Sequence, residues 1–466
     1  MGGTVEKREV RVTVQFGIAS CHSTRPYHLH RTSVRSHPDE TRASTLGGMR
    51  VVVVGAGVSG LTCARELRQA GAAVTVVEAR DRVGGRIWTG EIAGSAVDLG
   101  GAWIHGPLAN PLAEYCREVG LRWASDGAWG SRMQVHTEDG SLLSHTATTS
   151  VVTAWSDFDP AEAVAALGAG VTFADAIEWY IADRTLAGEP AEAVRFSLSW
   201  LEAGLNIGSH PNSISATGAA AYQLHAGGNV VLDGGYRALI DHLAEDLEIS
   251  LEEPVLAVEH GPAGAIVSTS RRSIRADHVV VTVPIGVLQR RLIVFDPPLP
   301  ARIERSIANL ELSTVEKVVI RYRERWWPED IRRLVHITDA HRFPAWMDLS
   351  AHVAAPTLVG LFNPALAPMP DDQGSRFELA IESITTMLGK GPKPIGAMVT
   401  DWRNDPYAAG AYSYIPAGAQ ASDMSSFGHV DGALVFAGEH TVVEYHGTVH
   451  AAFVSGRRAA ERLIGA

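Results

Sequence analysis

The sequence predicts an α/β protein in which a Rossmann-like nucleotide-binding domain is interleaved with an α+β domain. Three observations carry this reading. Val51-Val52-Val53-Val54 is a short, fully apolar run, as expected of a parallel strand buried on both faces. The series Gly55-x-Gly57-x-x-Gly60 follows it and leads into Leu61-Thr62-Cys63-Ala64-Arg65-Glu66-Leu67 at helical spacing. Gly71 then ends that helix, and Val74-Thr75-Val76-Val77-Glu78 reads as a second strand closed by an acid. Together they make a βαβ unit of the expected length.

Each glycine has a separate task. Gly55 allows the tight turn out of the strand, Gly57 lets a pyrophosphate approach the backbone, and Gly60 lets helix and strand pack closely. The helix N-terminus offers unpaired N–H groups and its positive dipole end to phosphate. Glu78 lies 23 residues after Gly55, where a carboxylate accepts hydrogen bonds from ribose hydroxyls. A second backbone approach to phosphate suits Gly84 and Gly85, which follow in Ala79-Arg80-Asp81-Arg82-Val83-Gly84-Gly85-Arg86; a glycine turn with surface arginines would read the same way.

Along the rest of the chain, residues 1–48 carry seven basic and four acidic side chains without a continuous apolar core, which reads as a disordered extension or as sequence ahead of a true start at Met49. Residues 126–224 read as mainly helical, with Trp129, Trp155, Trp179 and Trp200 as core side chains. Strands return at 254–259 and 277–284, a mixed segment with a strand at 315–322 covers 297–394, and a helix closes the chain around 447–464. The expected organisation is an extension (1–48), a nucleotide-binding domain from three segments (49–125, 225–296 and 395–466), and a substrate-binding domain from two (126–224 and 297–394).

The 466 residues carry 40 basic and 52 acidic side chains, a net charge of −12, which argues against nucleic acid as a partner and suits a cationic ligand. Three scattered cysteines, Cys21, Cys63 and Cys116, make neither a disulfide framework nor a metal cluster, so no metal site and a reducing, cytoplasmic setting are expected. No run approaches the ~20 apolar residues of a membrane span, so no membrane association is expected. The oligomeric state is not legible.

The stretch Glu78–Arg86 resembles the FAD fingerprint of the flavin-containing amine oxidases, a superfamily of monoamine, polyamine and amino-acid oxidases and histone lysine demethylases. Further landmarks resemble that family in order: Asp98–Gly106, Asp401–Tyr407, Gly410–Tyr414, Phe436–Thr441 and Tyr445–Val449. The resemblance implies a Rossmann-like FAD-binding domain interleaved with an α+β substrate-binding domain. It implies that Glu78 binds the adenosine ribose, that Arg80 and Arg86 lie along FAD, and that Val255 meets the adenine. It further implies that Gly101, Ala102, Trp103 and Trp402 lie beside the flavin, that Glu439 bonds the ribityl chain, and that the helix N-terminus at Gly447, Thr448 and Val449 faces the pyrimidine end.

The implied activity is oxidation of an amine to an imine by hydride transfer to flavin N5, with O2 reoxidation giving H2O2 and imine hydrolysis giving aldehyde. Such transfer needs an uncharged reacting nitrogen, which a low-dielectric aromatic pocket favours. By resemblance Tyr412 and Tyr445 flank that amine, Lys317 holds a water near N5, and His105 in Trp103-Ile104-His105-Gly106 lines the amine tunnel, as in polyamine oxidases. Ala411 stands where the mitochondrial monoamine oxidases have a flavin-bonding cysteine, so FAD is expected to be noncovalent. Small-molecule amine and O2 are the expected partners, and Glu202 is a candidate acid for a distal ammonium. An L-amino-acid oxidase, an FAD desaturase or porphyrinogen-type oxidase, and a non-catalytic flavin-binding module remain alternatives.

Overall fold

A computed structural model describes residues 46–127, 132–337, 343–428 and 432–465. Residues 1–45 of the expected extension, with Cys21, and Trp129 of the helical region lie outside the described residues.

The apolar run forms β1 (Arg50–Val54), followed by α1 (Val58–Gln69) and β2 (Ala73–Val77). They belong to a five-stranded parallel sheet whose spatial order is Leu434–Phe436, His278–Val281, β1, β2, Glu248–Ser250. Strands from three distant stretches therefore share one sheet, and β1, Val53 fully excluded from solvent, lies at its centre. One face is covered by α1 and the C-terminal helix Val449–Ile464, which approach closely because both carry small residues: a Cβ on Gly456 would overlap the Ser59 carbonyl, and the Ser59 and Ser455 hydroxyls are 2.9 Å apart. Leu61 and Leu67 of α1 are fully buried, each contributing about 1.5–3 kcal/mol relative to exposure. Leu46, expected in the extension, packs into this core, and its N–H donates to Ala70 O at 3.2 Å.

A second, six-stranded sheet has the order Gly396–Val399, Glu316–Arg321, Thr357–Phe362, Ala345–Asp348, Arg333–His336, Met133–His136. Gly396–Val399, expected in the nucleotide-binding segment 395–466, pairs here instead, antiparallel to Glu316–Arg321. Smaller sheets fill the join: Ser273–Ala276, Gly264–Thr269, Val255–Gly261 and Val294–Asp296 form one, and Ile104–His105, Asn229–Leu232 and Trp123–Gly127 another. Between 126 and 224 the chain is largely helical, through His145–Asp157, Pro160–Leu167, Phe173–Asp183 and Gly188–Phe196. The last of these runs into an eleven-residue π-helix, Ser197–Ile207. Trp155 and Trp179 pack against that helical core, and Trp200 stacks on Phe196 at 5.5 Å. Among the described residues no helix is long and apolar enough to cross a membrane, and no group of His, Cys, Asp or Glu could hold a metal ion.

Candidate active site

The three glycines between β1 and α1 have the three environments their roles require. Gly55 takes φ +106°, closed to most L-residues, and a Cβ there would meet Thr282 Oγ1 at 2.8 Å. On Gly60 a Cβ would overlap the Gly55 carbonyl oxygen, so helix and turn touch backbone to backbone. Around Gly57 a Cβ would meet nothing within 4 Å, and its φ of −77° imposes no demand for glycine. Open space over this residue is the cradle a diphosphate would fill. The next turn closes the cradle from the side. Gly84 N–H donates to Ala56 O at 2.8 Å, and a Cβ on Gly85 would lie 3.3 Å from Gly57 Cα.

Glu78 is buried at the end of β2, its two oxygens accepting the N–H groups of Ala56 and Arg80 at 2.8 and 2.9 Å. Residues 252 and 253 donate to Arg80 O and Glu78 O, which brings Val255 to the same end of the sheet. Arg80 forms a two-pronged ion pair with Asp405 at 2.6 and 2.7 Å, tying the glycine-rich turn to the stretch 401–407. Arg82 is spent on the carbonyls of Val83, Gly85 and Ile87, and burial draws its guanidinium down to about 10.

Arg86 reaches Glu439 at 2.8 Å and Ala411 O at 3.0 Å. Glu439 also accepts from Ser413 Oγ at 2.5 Å, Ser413 N at 3.3 Å and Gly447 N at 2.8 Å, so four protein donors occupy the carboxylate expected to bond a ribityl chain. Burial alone would raise its pKa, but Arg86 and His440, with the Ser413 hydroxyl, hold it down to about 2. Thr448 caps the C-terminal helix, accepting Ala451 N–H, and Val449 is the first helical residue. A Cβ on Gly101 would lie 3.0 Å from Val449 Cγ2, so the segment containing Gly101, Ala102 and Trp103 runs beside that helix start. Trp402 donates from Nε1 to Leu99 O at 3.2 Å and covers Gly100. Close approaches thus join Gly57 to Gly85, and Gly101 to the helix start at Val449. The open space over Gly57 fits the diphosphate of a dinucleotide such as FAD.

Lys317 lies on the strand Glu316–Arg321 and is 8% exposed. Its Nζ donates to Gly100 O at 2.5 Å and Asp98 O at 3.3 Å, and sits 5.0 Å from the centre of the Trp103 ring. Burial draws the amine from 10.5 down to about 8, against the opposing pull of the Asp98 carboxylate. The lysine that sequence alone could equally place in solvent therefore points inward, onto the expected flavin segment.

His105, Glu202, Tyr222 and Tyr412 are surrounded by protein yet partly reached by solvent. His105 Nδ1 pairs with Asn229 Oδ1 at 3.0 Å, and burial lowers its pKa, so the ring is neutral and presents Nε2 as an acceptor. Tyr412 donates its hydroxyl to Leu205 O of the π-helix, and its ring covers Gly208 and Gly447. Burial and the nearby Glu202 charge raise the Tyr222 and Tyr412 hydroxyls far above their ordinary value. Glu202, itself raised by burial, accepts from Asn206 Nδ2 at 2.7 Å.

Tyr445 has different neighbours. His225 stacks on its ring at 4.7 Å and His450 meets it edge-on at 5.2 Å, so one of its faces is already covered. The sequence reading missed Asn229, Tyr222, His225, His450, Asp98 and Asp126 as neighbours of the site. Of these, Asp98 alone carried a signal, since it opens the quoted stretch Asp98–Gly106.

Comparison with known proteins follows the same line. The profile of the flavin containing amine oxidoreductases matches residues 58–464, and that of the pyridine nucleotide-disulphide oxidoreductases matches residues 12–97. FLOWERING LOCUS D of Arabidopsis thaliana is 30% identical over 89% of this chain, which spans 55% of its length. Polyamine oxidase 5 of Oryza sativa subsp. japonica is 29% identical over 88% of this chain and 87% of its own. Lysine-specific histone demethylase 2 of Homo sapiens is 27% identical, with 89% of this chain covering 53% of that protein. The chain thus spans about half the length of the demethylase and FLOWERING LOCUS D relatives. A solved putrescine oxidase bound to putrescine shares the fold, with a TM-score of 0.75 at 23% identity over 90% of this chain and 99% of that one.

Proposed function

The chain belongs to the flavin-containing amine oxidoreductases, whose cofactor is FAD, and from that premise we propose that it oxidises a di- or polyamine at a primary or secondary nitrogen. When bound, FAD supplies a two-electron acceptor for the hydride of the carbon beside nitrogen, with O2 as the final oxidant, giving H2O2 and an imine that water converts to aldehyde and amine. Gly57, Gly84 and Gly85 would hold its diphosphate, Glu78 its ribose, and the N-terminus at Thr448 and Val449 its far end.

The observation that carries this reading is the Lys317 amine, buried and fixed on Gly100 O beside the Trp103 ring; the Tyr412 hydroxyl, close enough to feel the Glu202 charge, supports it. The protein's own groups divide the work. Tyr412 and the surrounding apolar wall exclude water and disfavour charge on the reacting nitrogen, leaving its lone pair free to form the C=N bond. His105 Nε2 accepts a hydrogen bond from the incoming amine. Lys317 is placed to hold a water and to move a proton during reoxidation. Glu202 offers a negative charge to a second, distal ammonium, which favours polyamines over simple monoamines.

A peroxide assay over spermine, spermidine, putrescine, acetylated polyamines, aryl monoamines, L-amino acids and a methyl-lysine peptide tests the proposal. Glu202→Gln should raise KM for diamines at least tenfold with little change in kcat, and leave a monoamine of equal length unaffected. Peroxide from L-amino acids or the methyl-lysine peptide alone would overturn the polyamine reading. No peroxide from any amine by the FAD-loaded protein would favour an apolar-substrate oxidase or a non-catalytic flavin-binding module.

A further inference from the structure

The Trp103 indole that faces Lys317 is held at its N–H edge by a buried carboxylate. Its Nε1–H donates to Asp126 Oδ2 at 3.0 Å. The same carboxylate accepts from Arg333 at 2.8 Å and pairs through Oδ1 with His352 Nε2 at 3.1 Å; Asp126 O takes a further Arg333 bond at 3.1 Å. All three side chains are nearly solvent-free, at 4% for Asp126, 2% for Arg333 and 6% for His352. Arg333 and His352 come from the second half of the chain, whereas Trp103 belongs to the segment beside the glycine cradle.

We propose that Asp126 is a positioning residue that locks the Trp103 indole over the Lys317 amine, so that the ring face, rather than water, meets the ammonium. The N–H bond to Asp126 fixes which way the indole edge points and so where its face lies. The desolvated ring face stabilises a cation, which partly offsets the burial that draws Lys317 down. Groups facing Lys317 are Asp98, whose backbone carbonyl accepts its hydrogen bond and whose charge supports it, and neutral His105. At the N–H edge of the indole stand Asp126 and its partners Arg333 and His352. Glu316, next in the chain, turns to Thr400 and Arg403 N instead. The inference rests on the flavin-amine-oxidase reading only for its consequence, since the contact itself is measurable without turnover.

The sequence contains only four lysines, Lys7, Lys317, Lys390 and Lys393, so 13Cε-lysine NMR of the holoprotein gives few resonances, and Lys317→Met identifies the relevant one. Trp103→Phe, which has no N–H, should move the Lys317 titration midpoint to lower pH by about half a unit to one unit. Asp126→Leu, which has no acceptor for the indole N–H, should do the same, made with Arg333→Met so that no lone guanidinium is buried. In the Trp103→Phe background the Asp126 change should add nothing. A midpoint unmoved in folded Trp103→Phe protein overturns the proposal. So does an Asp126 effect that persists undiminished in that background, which would mean through-space charge rather than positioning. Loss of amine oxidation with an unchanged Lys317 midpoint would count against the positioning and not against the family assignment.

Discussion

Replacing Glu439 by Gln tests whether the Arg86–Glu439–Gly447 junction holds the cofactor lining together. In the folded protein this carboxyl is held near 2, against an ordinary 4.5. A depressed carboxylate pKa stabilises the fold above the unfolded value, and that stability drains away as pH falls through the folded one. A gap of roughly 2.5 units corresponds to roughly 3 kcal/mol at pH 7, of which about 2 kcal/mol is gone by pH 3. Glu439 is 4% exposed, so solvent screening takes little from that figure. The urea midpoint, followed by tryptophan fluorescence at pH 7, 5, 4 and 3, reads the effect. Wild type and Glu439→Gln should lie far apart at pH 7 and converge towards pH 3. A constant separation across the series would refute the reasoning, because the lost stability would then come from packing rather than charge.

The glycine turn gives a second test. Gly57→Ala should fold normally yet lose FAD, because its Cβ points into open space, whereas Gly60→Ala should lose roughly 1–3 kcal/mol of stability before any cofactor is added, because its Cβ overlaps the Gly55 carbonyl; equal cofactor retention by both would contradict this, and absorbance at 450 nm with thermal melts separates the outcomes. Lys317→Met should retain flavin but slow its reoxidation by O2 at least tenfold, and should abolish any pH dependence of that step centred near 8, the point above which the amine loses its proton; stopped-flow reoxidation from pH 6 to 10 measures this, and unchanged rates would remove Lys317 from the step. Acid precipitation should leave all flavin in the supernatant, because Ala411 offers no sulfur; colour in the pellet would mean a covalent link.

The parts of this molecule legible in the sequence are those whose physics is local. The valine run, the glycine series and Glu78 lie within one βαβ unit, where each residue type answers a constraint set by its immediate neighbours. That Gly396–Val399 pairs with Glu316–Arg321 is not legible, because a four-residue apolar segment carries no mark of its partner strand. The π-helix Ser197–Ile207 is equally hidden, since its apolar pattern differs little from that of an α-helix. Its wider turn nonetheless directs Leu205 O to Tyr412 and carries Glu202 on the same element. Asn229 beside His105 and Arg333 on Asp126 are separated by 124 and 207 residues, respectively, from their partners, and only the tertiary fold could bring them there.

The charged groups of the candidate site impose opposite demands on a diamine. Arg86 is matched by Glu439, and Lys317 is stabilised by Asp98, so neither cation is left to attract or repel the substrate strongly. Glu202 remains, and burial raises its pKa, so it binds an ammonium best when pH is high enough to ionise it. The reacting nitrogen must be neutral, which again favours high pH, while the distal nitrogen must keep its proton to engage Glu202. For a diamine, kcat/KM should therefore rise from acid pH, cross a maximum and fall once the distal ammonium is lost. A monoamine has no distal charge to lose, and its profile should climb to a plateau. In Glu202→Gln the diamine should lose its alkaline fall and follow the monoamine. A diamine profile that keeps its bell shape in that variant would mean that the anionic partner is a residue other than Glu202.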